Sequence, residues 1–276
     1  MANDCLVTKL KGVVDNDNLM KLGEVDIQIS DVTQTVDVFF NIISTENVTL
    51  ENYTQNFVDV NKQDTGINKK TGTSVSAFAL QGDKIAIYPK YSITSVSMST
   101  FFADSGFTPK DINYMSSLAT FKGTLFGDLD DITEVNRNMV LFTALKGSLS
   151  GHLASLTKFS NVREIKLGSN GYNVEGNLQD LAPLTSLKIL HLGECGKVAG
   201  SIEAFVLAQV ALGRSTVSSQ EALKCGYFSM TNITFNGQPI TSLNVKDLYW
   251  QPNALDSSKT DITFDGVTVT VPISVV

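Results

Sequence analysis

The stretch Gly176-Asn-Leu-Gln-Asp-Leu-Ala-Pro-Leu-Thr-Ser-Leu-Lys-Ile-Leu-His-Leu-Gly-Glu-Cys195 decides how this chain is read. Its apolar positions include Leu178, Leu181, Leu184, Leu187, Leu190 and Leu192. The same offsets counted from Gly151 hold Leu153, Leu156, Phe159, Val162, Ile165 and Leu167, with Asn170 in the place of Cys195. A glycine followed two residues later by Leu or Ile recurs at Gly127/Leu129, Gly151/Leu153, Gly176/Leu178 and Gly200/Ile202, at intervals of 24, 25 and 24 residues. A fixed period of about 20 to 50 residues marks a stacked array, because each unit is too small to bury its own apolar face and shares a core with its neighbours. Residues two apart lie on one face of a strand, so Leu190 and Leu192 are expected inward and His191 outward. Each unit then adds one short strand to a parallel sheet. The residues at offsets 2, 5, 8 and 11 return the chain through helical or 3₁₀ turns, and Asn170 or Cys195 bonds backbone groups that the turn leaves unpaired.

The stretches 162–170 and 187–195 both read L-x-x-L-x-L-x-x-N/C, which resembles the leucine-rich repeat. Leu125-x-Gly, Leu149-x-Gly, Val174-x-Gly and Val198-x-Gly, each followed by x-Leu or x-Ile, resemble the L-x-G-x-I/L element of its plant-type subclass. The resemblance covers residues 112–212 and implies a short solenoid with a second strand on its convex side. The pattern weakens at both ends: Asn138 falls where an apolar residue is expected, and a degenerate half-repeat starts near Ile112. After Gly200, residues 204–212 read as a continuous helix, with Ser201 as N-cap and Glu203 in the first turn. Residues 200–226 are therefore expected to cap the array.

The fold class expected is mixed and β-rich: an N-terminal antiparallel β-domain over residues 1–95, a junction, solenoid and helical cap over 96–226, and a C-terminal β-hairpin region over 227–276. Residues 5–10, 24–30, 36–44, 48–53, 75–80 and 84–89 read as strands, and Gln81-Gly82-Asp83 predicts a hairpin between the last two. Residues 61–72 read as an exposed polar loop. Asn236-Gly237 and Asp265-Gly266 each follow a strand-like run and predict two more hairpins. Val267, Val269 and Val271 form one apolar row on the last strand.

A formal net charge of -7 and the lack of any Lys/Arg run exclude nucleic acid as an expected partner. No apolar run approaches the roughly 20 residues of a membrane span, so membrane insertion is not expected. The opening residues lack the basic start and apolar stretch of a secretory leader. Cys5, Cys195 and Cys225 are too few for a disulfide framework. Asp15-Asn16-Asp17-Asn18 has Leu19 and Met20 where a calcium loop needs a ligand and a glycine, and reads as a solvated turn. Asp128, Asp130 and Asp131 read as exposed charges, and His152 as exposed. The acceptor patterns at Asn47, Asn52 and Asn232 are read as accidental without a leader. No nucleophile elbow, zinc or phosphate-loop motif occurs. Catalytic residues, metal ligands and cofactors are therefore all expected to be none.

What remains is a binding surface, expected on the outward row Glu164, Lys166, Ile189 and His191. The segments Cys5-Leu-Val-Thr-Lys-Leu-Lys-Gly12 and Ala77-Phe-Ala-Leu-Gln-Gly-Asp-Lys-Ile-Ala-Ile-Tyr88 resemble virion proteins of tailed phages of gut Bacteroidales. That resemblance implies a capsid decoration, head-fibre or tail-associated adhesion protein, made in the host cytoplasm and located in the virion. Its partners would be other virion proteins, a second copy of itself as a homo-oligomer, and a host surface protein or glycan. The alternative is a leucine-rich-repeat adhesin or scaffold at the bacterial cell surface, which requires export.

Overall fold

The computed structural model describes residues 38–41, 46–53, 57–60, 72–79, 84–88, 95–97, 108–113, 115–168, 173–228, 231–241 and 243–273. The strands expected at 5–10 and 24–30, the turn at 15–18, nearly all of the 61–72 loop, Cys5 and Asn170 lie outside the described residues. The described residues are β-rich with few helices. It divides into two compact units, Met1–Phe126 and Gly127–Val276.

The first unit contains β1 (Val38–Asn41), β2 (Glu46–Tyr53), β3 (Phe57–Val60), β4 (Gly72–Ala79), β5 (Lys84–Tyr88) and β6 (Ser95–Ser97). It also contains the start of β7 (Thr120–Asp128), with which β6 pairs in parallel. β5 runs antiparallel between β1 and β3, and β4 runs antiparallel to β2. This corrects the hairpin expected at residues 81–83. Both edges of β5 are occupied by β1 and β3, so β4 pairs with β2 instead. A glycine turn between alternating runs signals local pairing, and here the non-local partners win.

In the second unit two parallel ladders grow from one strand, the 12-residue β8 (Leu141–His152). Its first residues pair with β9 (Glu164–Leu167), which pairs with β11 (Ile189–Leu192) and then β13 (Leu223–Gly226). Its last residues pair with β10 (Asn173–Asn177), followed by β12 (Lys197–Ser201) and β14 (Asn232–Phe235). The register is that of the repeat: Phe142, Ile165, Leu190 and Cys225 stand side by side. The 3₁₀ turns Leu129–Asp131, Leu153–Lys158 and Leu178–Leu181 are the return path. Leu153, Leu156, Phe159, Val162, Ile165 and Leu167, with their counterparts from Leu178 to Leu192, are each no more than 1% exposed, so both sets belong to one core.

The glycine opening each unit holds positive φ, +92° at Gly151 and +125° at Gly200. That region favours glycine, and the space requires it too. A Cβ on Gly151 would lie 2.1 Å from Asp128 Oδ1, the atom that caps the preceding 3₁₀ turn by accepting from the Asp130 N–H at 2.9 Å. A Cβ on Gly200 would lie 2.5 Å from Asn177 Oδ1, which caps the preceding turn, Leu178–Leu181, by accepting from the Gln179 N–H at 3.1 Å. Gly151 and Gly200 are therefore each seated against the cap of the unit before, whereas the Cβ position of Gly176 meets Asp180 of its own unit at 2.9 Å and Leu153 of the unit before at 3.3 Å.

The helix Ile202–Ala211 takes the place of a further 3₁₀ return, and Ser201 Oγ caps it by accepting from the Ala204 N–H at 3.1 Å. Fully buried Gln209 donates through Nε2 to the carbonyls of Ala182 (3.1 Å) and Leu184 (3.3 Å). Arg214 donates to Leu187 O at 3.1 Å and to Gln209 Oε1 at 2.9 Å, and its guanidinium lies 5.3 Å from the Trp250 ring centroid. These side chains satisfy carbonyls along the return path of the preceding unit. Beyond the helix, β13 and β14 each extend a ladder by one strand; the sequence reading of residues 200–226 as cap alone omitted β13.

Both expected C-terminal hairpins form. β14 turns through Asn236 and Gly237 into β15 (Gln238–Pro239). β16 (Lys246–Pro252), β17 (Lys259–Phe264) and β18 (Val267–Pro272) continue antiparallel from β13, the last two joined by Asp265 and Gly266.

Gly151→Ala is expected to cost on the order of 1–3 kcal/mol, because a non-glycine residue would hold a strained φ against the Asp128 cap. Gly168, at the end of β9, has nothing within 4 Å of its Cβ position, and Gly168→Ala is expected to cost under about 0.5 kcal/mol. Denaturant titration of the two variants checks this, and equal costs would contradict it.

Candidate interaction surface

Alternation along β9 and β11 buries Ile165, Leu167, Leu190 and Leu192 and leaves Glu164, Lys166, Ile189 and His191 half-buried on the other face. The expected row is therefore brought together. Glu164 stands beside Ile189, and Lys166 beside His191. One strand further, Lys224 flanks Ile189 and Gly226 flanks His191, and Asp247 of β16 completes the first row beside Lys224. On the β8 side, Leu141 and Thr143 flank Glu164 and Lys166.

The charges on this face are neutralised in pairs. Lys166 Nζ lies 2.8 Å from Glu164 Oε1, and Lys224 Nζ lies 2.5 Å from Asp247 Oδ1. Ile189 sits between the two pairs. Beside it the His191 ring meets the Tyr227 ring with centroids 4.9 Å apart, and the His191 Nε2 atom is enclosed without a hydrogen-bond partner. Burial, reinforced by the Lys166 ammonium, holds the His191 pKa below the ordinary histidine value, so its ring is neutral at pH 7. Gly226 leaves room for a neighbouring loop: its Cβ position is 2.9 Å from Val245 Cα. Tyr227 (44%), Val245 (42%) and Leu243 (60%) are exposed large apolar residues. The face thus carries an apolar strip of Ile189, His191, Tyr227 and Val245 between internally paired charges. Sequence reasoning missed Tyr227 and Val245 because neither occupies a repeat position. The signal that could have found them is the Leu-Lys-Cys-Gly run at 223–226, a repeat strand displaced by the helical insertion.

On the other ladder His152 is exposed, as expected, and ion-paired. Its Nδ1 lies 2.6 Å from Asp130 Oδ2 and its Nε2 3.4 Å from Glu175 Oε1, while Lys197 Nζ lies 3.8 Å from Glu175 Oε2. Asp130, Glu175 and Lys197 thus carry charge across successive units, and His152 completes an alternating row when protonated. Ser155 Oγ donates to Asp130 Oδ1 at 2.6 Å. A catalytic triad places the imidazole between acid and hydroxyl. Here the carboxylate lies between the other two, so the imidazole does not activate the serine. The hydrogen bond that the imidazole donates to Asp130, with the carboxylate's charge, raises the His152 pKa. Asp128 and Asp130, expected only as exposed charges, serve as a turn cap and as the acceptor for His152.

Cys195 and Cys225 are free and buried, and burial pushes each thiol up to about 12, which leaves them unreactive at neutral pH. Among the described residues no group of three or more His, Cys, Asp or Glu is placed to hold a metal, and no helix is long and apolar enough to cross a membrane. No family model and no curated protein matches the chain.

The two histidines are the only ones in the chain and shift in opposite directions. A raised folded-state pKa means that His152 contributes stability present below its unfolded pKa of about 6.5 and lost as pH rises through the folded value. His191, with a depressed pKa, loses stability as pH falls below about 6.5. NMR titration, assigned with His191→Gln, is expected to place His152 above and His191 below the ordinary value. The reverse order would contradict the placement of both rings.

Proposed function

We propose that this protein is a non-enzymatic structural and interaction component of a phage particle, serving as a capsid decoration, head-fibre or tail-associated adhesion protein. In this reading the repeat forms a short leucine-rich-repeat solenoid within residues 96–226. An antiparallel β-domain over residues 1–95 and a hairpin region over 227–276 flank it. The observation that carries the interaction role is the apolar strip of Ile189, His191, Tyr227 and Val245 between the ion pairs Glu164–Lys166 and Lys224–Asp247. A half-exposed apolar centre with aromatic rings and a polar margin suits a protein partner. Paired charges give this face little electrostatic pull of its own, which favours partners held by shape and apolar contact over polyanions.

The virion assignment rests on the likeness of residues 5–12 and 77–88 to tailed-phage virion proteins, and its partners are other virion proteins or a host surface protein. A bacterial surface adhesin or scaffold is the second reading. Tyr227 on the exposed face supports it, since an aromatic ring offers a stacking surface to a glycan.

Mass spectrometry is expected to find the chain in purified phage particles and not in the host membrane fraction; the opposite distribution would select the adhesin. Once a partner is captured from particles, Ile189→Glu is expected to weaken its binding at least tenfold, because it places an unpaired carboxylate in the strip. Unchanged affinity would remove this face from the interaction.

A further inference from the structure

We propose that two copies of this chain pair edge to edge along β18, antiparallel, about a twofold axis at Val269. The inference uses a surface other than the β9–β11 strip, so each can fail without the other. β18 ends the path β16–β17–β18, and among the described residues its outer edge carries no partner strand.

The hairpin dictates what that edge presents. Asp265 and Gly266 hold φ of +52° and +76°, a two-residue turn with both residues left-handed. In such a turn the flanking residues, Phe264 and Val267, exchange hydrogen bonds, and every second pair after them does the same. Those pairs are Ile262 with Val269 and Thr260 with Val271. The Ile273 N–H bonding Ser258 O at 2.7 Å fits the same alternation. The backbone groups of Thr268 and Thr270 therefore point away from β17, and so does the carbonyl of Pro272, which has no N–H to offer.

In one antiparallel register every facing Thr268–Thr270 pair exchanges both of its bonds, so no outward N–H or C=O of either threonine is left over. With the axis at Val269, Thr268 of each copy faces Thr270 of the other, and the two pairs exchange both of their N–H···O bonds. Moving the axis to Thr270 sets Pro272, without a donor, opposite Thr268. Moving it to Thr268 sets Gly266 opposite Thr270, and the φ of Gly266 takes it out of strand geometry. In the favoured register Val269 faces Val269 and Val267 faces Val271 across non-hydrogen-bonded pairs, where side chains come closest. Val267 is 52% exposed, and Val269 and Val271 are half-buried, so pairing joins two open valine rows into one.

The electrostatics permit this contact in a chain of net charge -7. Free edges in monomers are commonly guarded by lysine or another charge, and residues 267–272 contain none. At the ends of this register Lys259, opposite Pro272 within the hairpin, is paired with Asp256 at 3.1 Å, and Asp265 of the second copy is paired with Lys246 at 2.8 Å, so charge meets charge already matched. A twofold axis repeats that arrangement at the other end and closes the assembly at two chains.

The test uses the full chain carrying Cys5→Ser, so that buried Cys195 and Cys225 are the remaining native thiols. Sedimentation velocity at tens of micromolar is expected to give twice the 29.9 kDa chain mass. Under mild oxidation Val269→Cys is expected to cross-link to itself, since a non-hydrogen-bonded pair sets Cα atoms about 4.5 Å apart, within disulfide reach. Val267→Cys alone is expected not to cross-link, and a mixture of Val267→Cys with Val271→Cys is expected to do so. A monomer throughout that range would overturn the proposal. So would a dimer in which Val269→Cys stays uncross-linked, or one in which Val267→Cys alone cross-links.

Discussion

The second unit depends on how closely one turn of chain approaches the next. At Gly151 and Gly200 the backbone of one unit lies where a Cβ would overlap the side chain capping the 3₁₀ turn of the unit before. Two requirements meet in one residue. The chain must take a positive φ to enter the turn, and it must do so against an oxygen already bonded to backbone N–H groups. Only glycine meets both, which fixes the interval between units. The leucines then follow in register, because units spaced this way set Ile165 beside Leu190 and Val174 beside Gly151.

Repetition leaves open how the array stops, and the chain solves that with polar side chains. Another unit would have continued the pattern of the return path beyond Ala182, Leu184 and Leu187; Gln209 and Arg214 bond these carbonyls instead. A buried acceptor left unmet costs about 1–3 kcal/mol, so their effect is comparable with that of a buried leucine. Burial also lowers the Arg214 pKa, and the stacked Trp250, whose Nε1 donates to Arg214 O at 2.9 Å, holds the guanidinium in place. The contacts among Asp130, His152, Glu175 and Lys197 contribute little by comparison, because exposed pairs are screened by solvent.

Much of this was legible in the sequence, and what was missed has physical reasons. Period and alternation gave the inward leucines, the outward row on β9 and β11 and the 3₁₀ returns. Cap chemistry gave Ser201, and Asn236-Gly237 with Asp265-Gly266 gave the two hairpins. β13 was hidden because the helix stretches the interval from Leu190 to its neighbour Cys225 to 35 residues, outside the period being counted. Gln209 reads as an ordinary helix position, since nothing local reveals that it faces carbonyls more than 20 residues away. The hairpin expected between β4 and β5 failed for the same reason: turn residues report local pairing, and strand partners are chosen by the whole sheet. The surface was half legible. Its repeat positions were found, while Tyr227 and Val245 join it only through folding.

A double-mutant cycle on Asn177→Ala and Gly200→Ala tests the interlock most directly. If the glycine is required because it rests on the cap of the unit before it, removing that cap relieves part of the cost of the added methyl group. The double variant is then more stable than the sum of the single losses by at least about 0.5 kcal/mol, the scale that separates coupled from independent sites. Strict additivity would mean that the two residues do not meet, and would contradict the account of how the units stack.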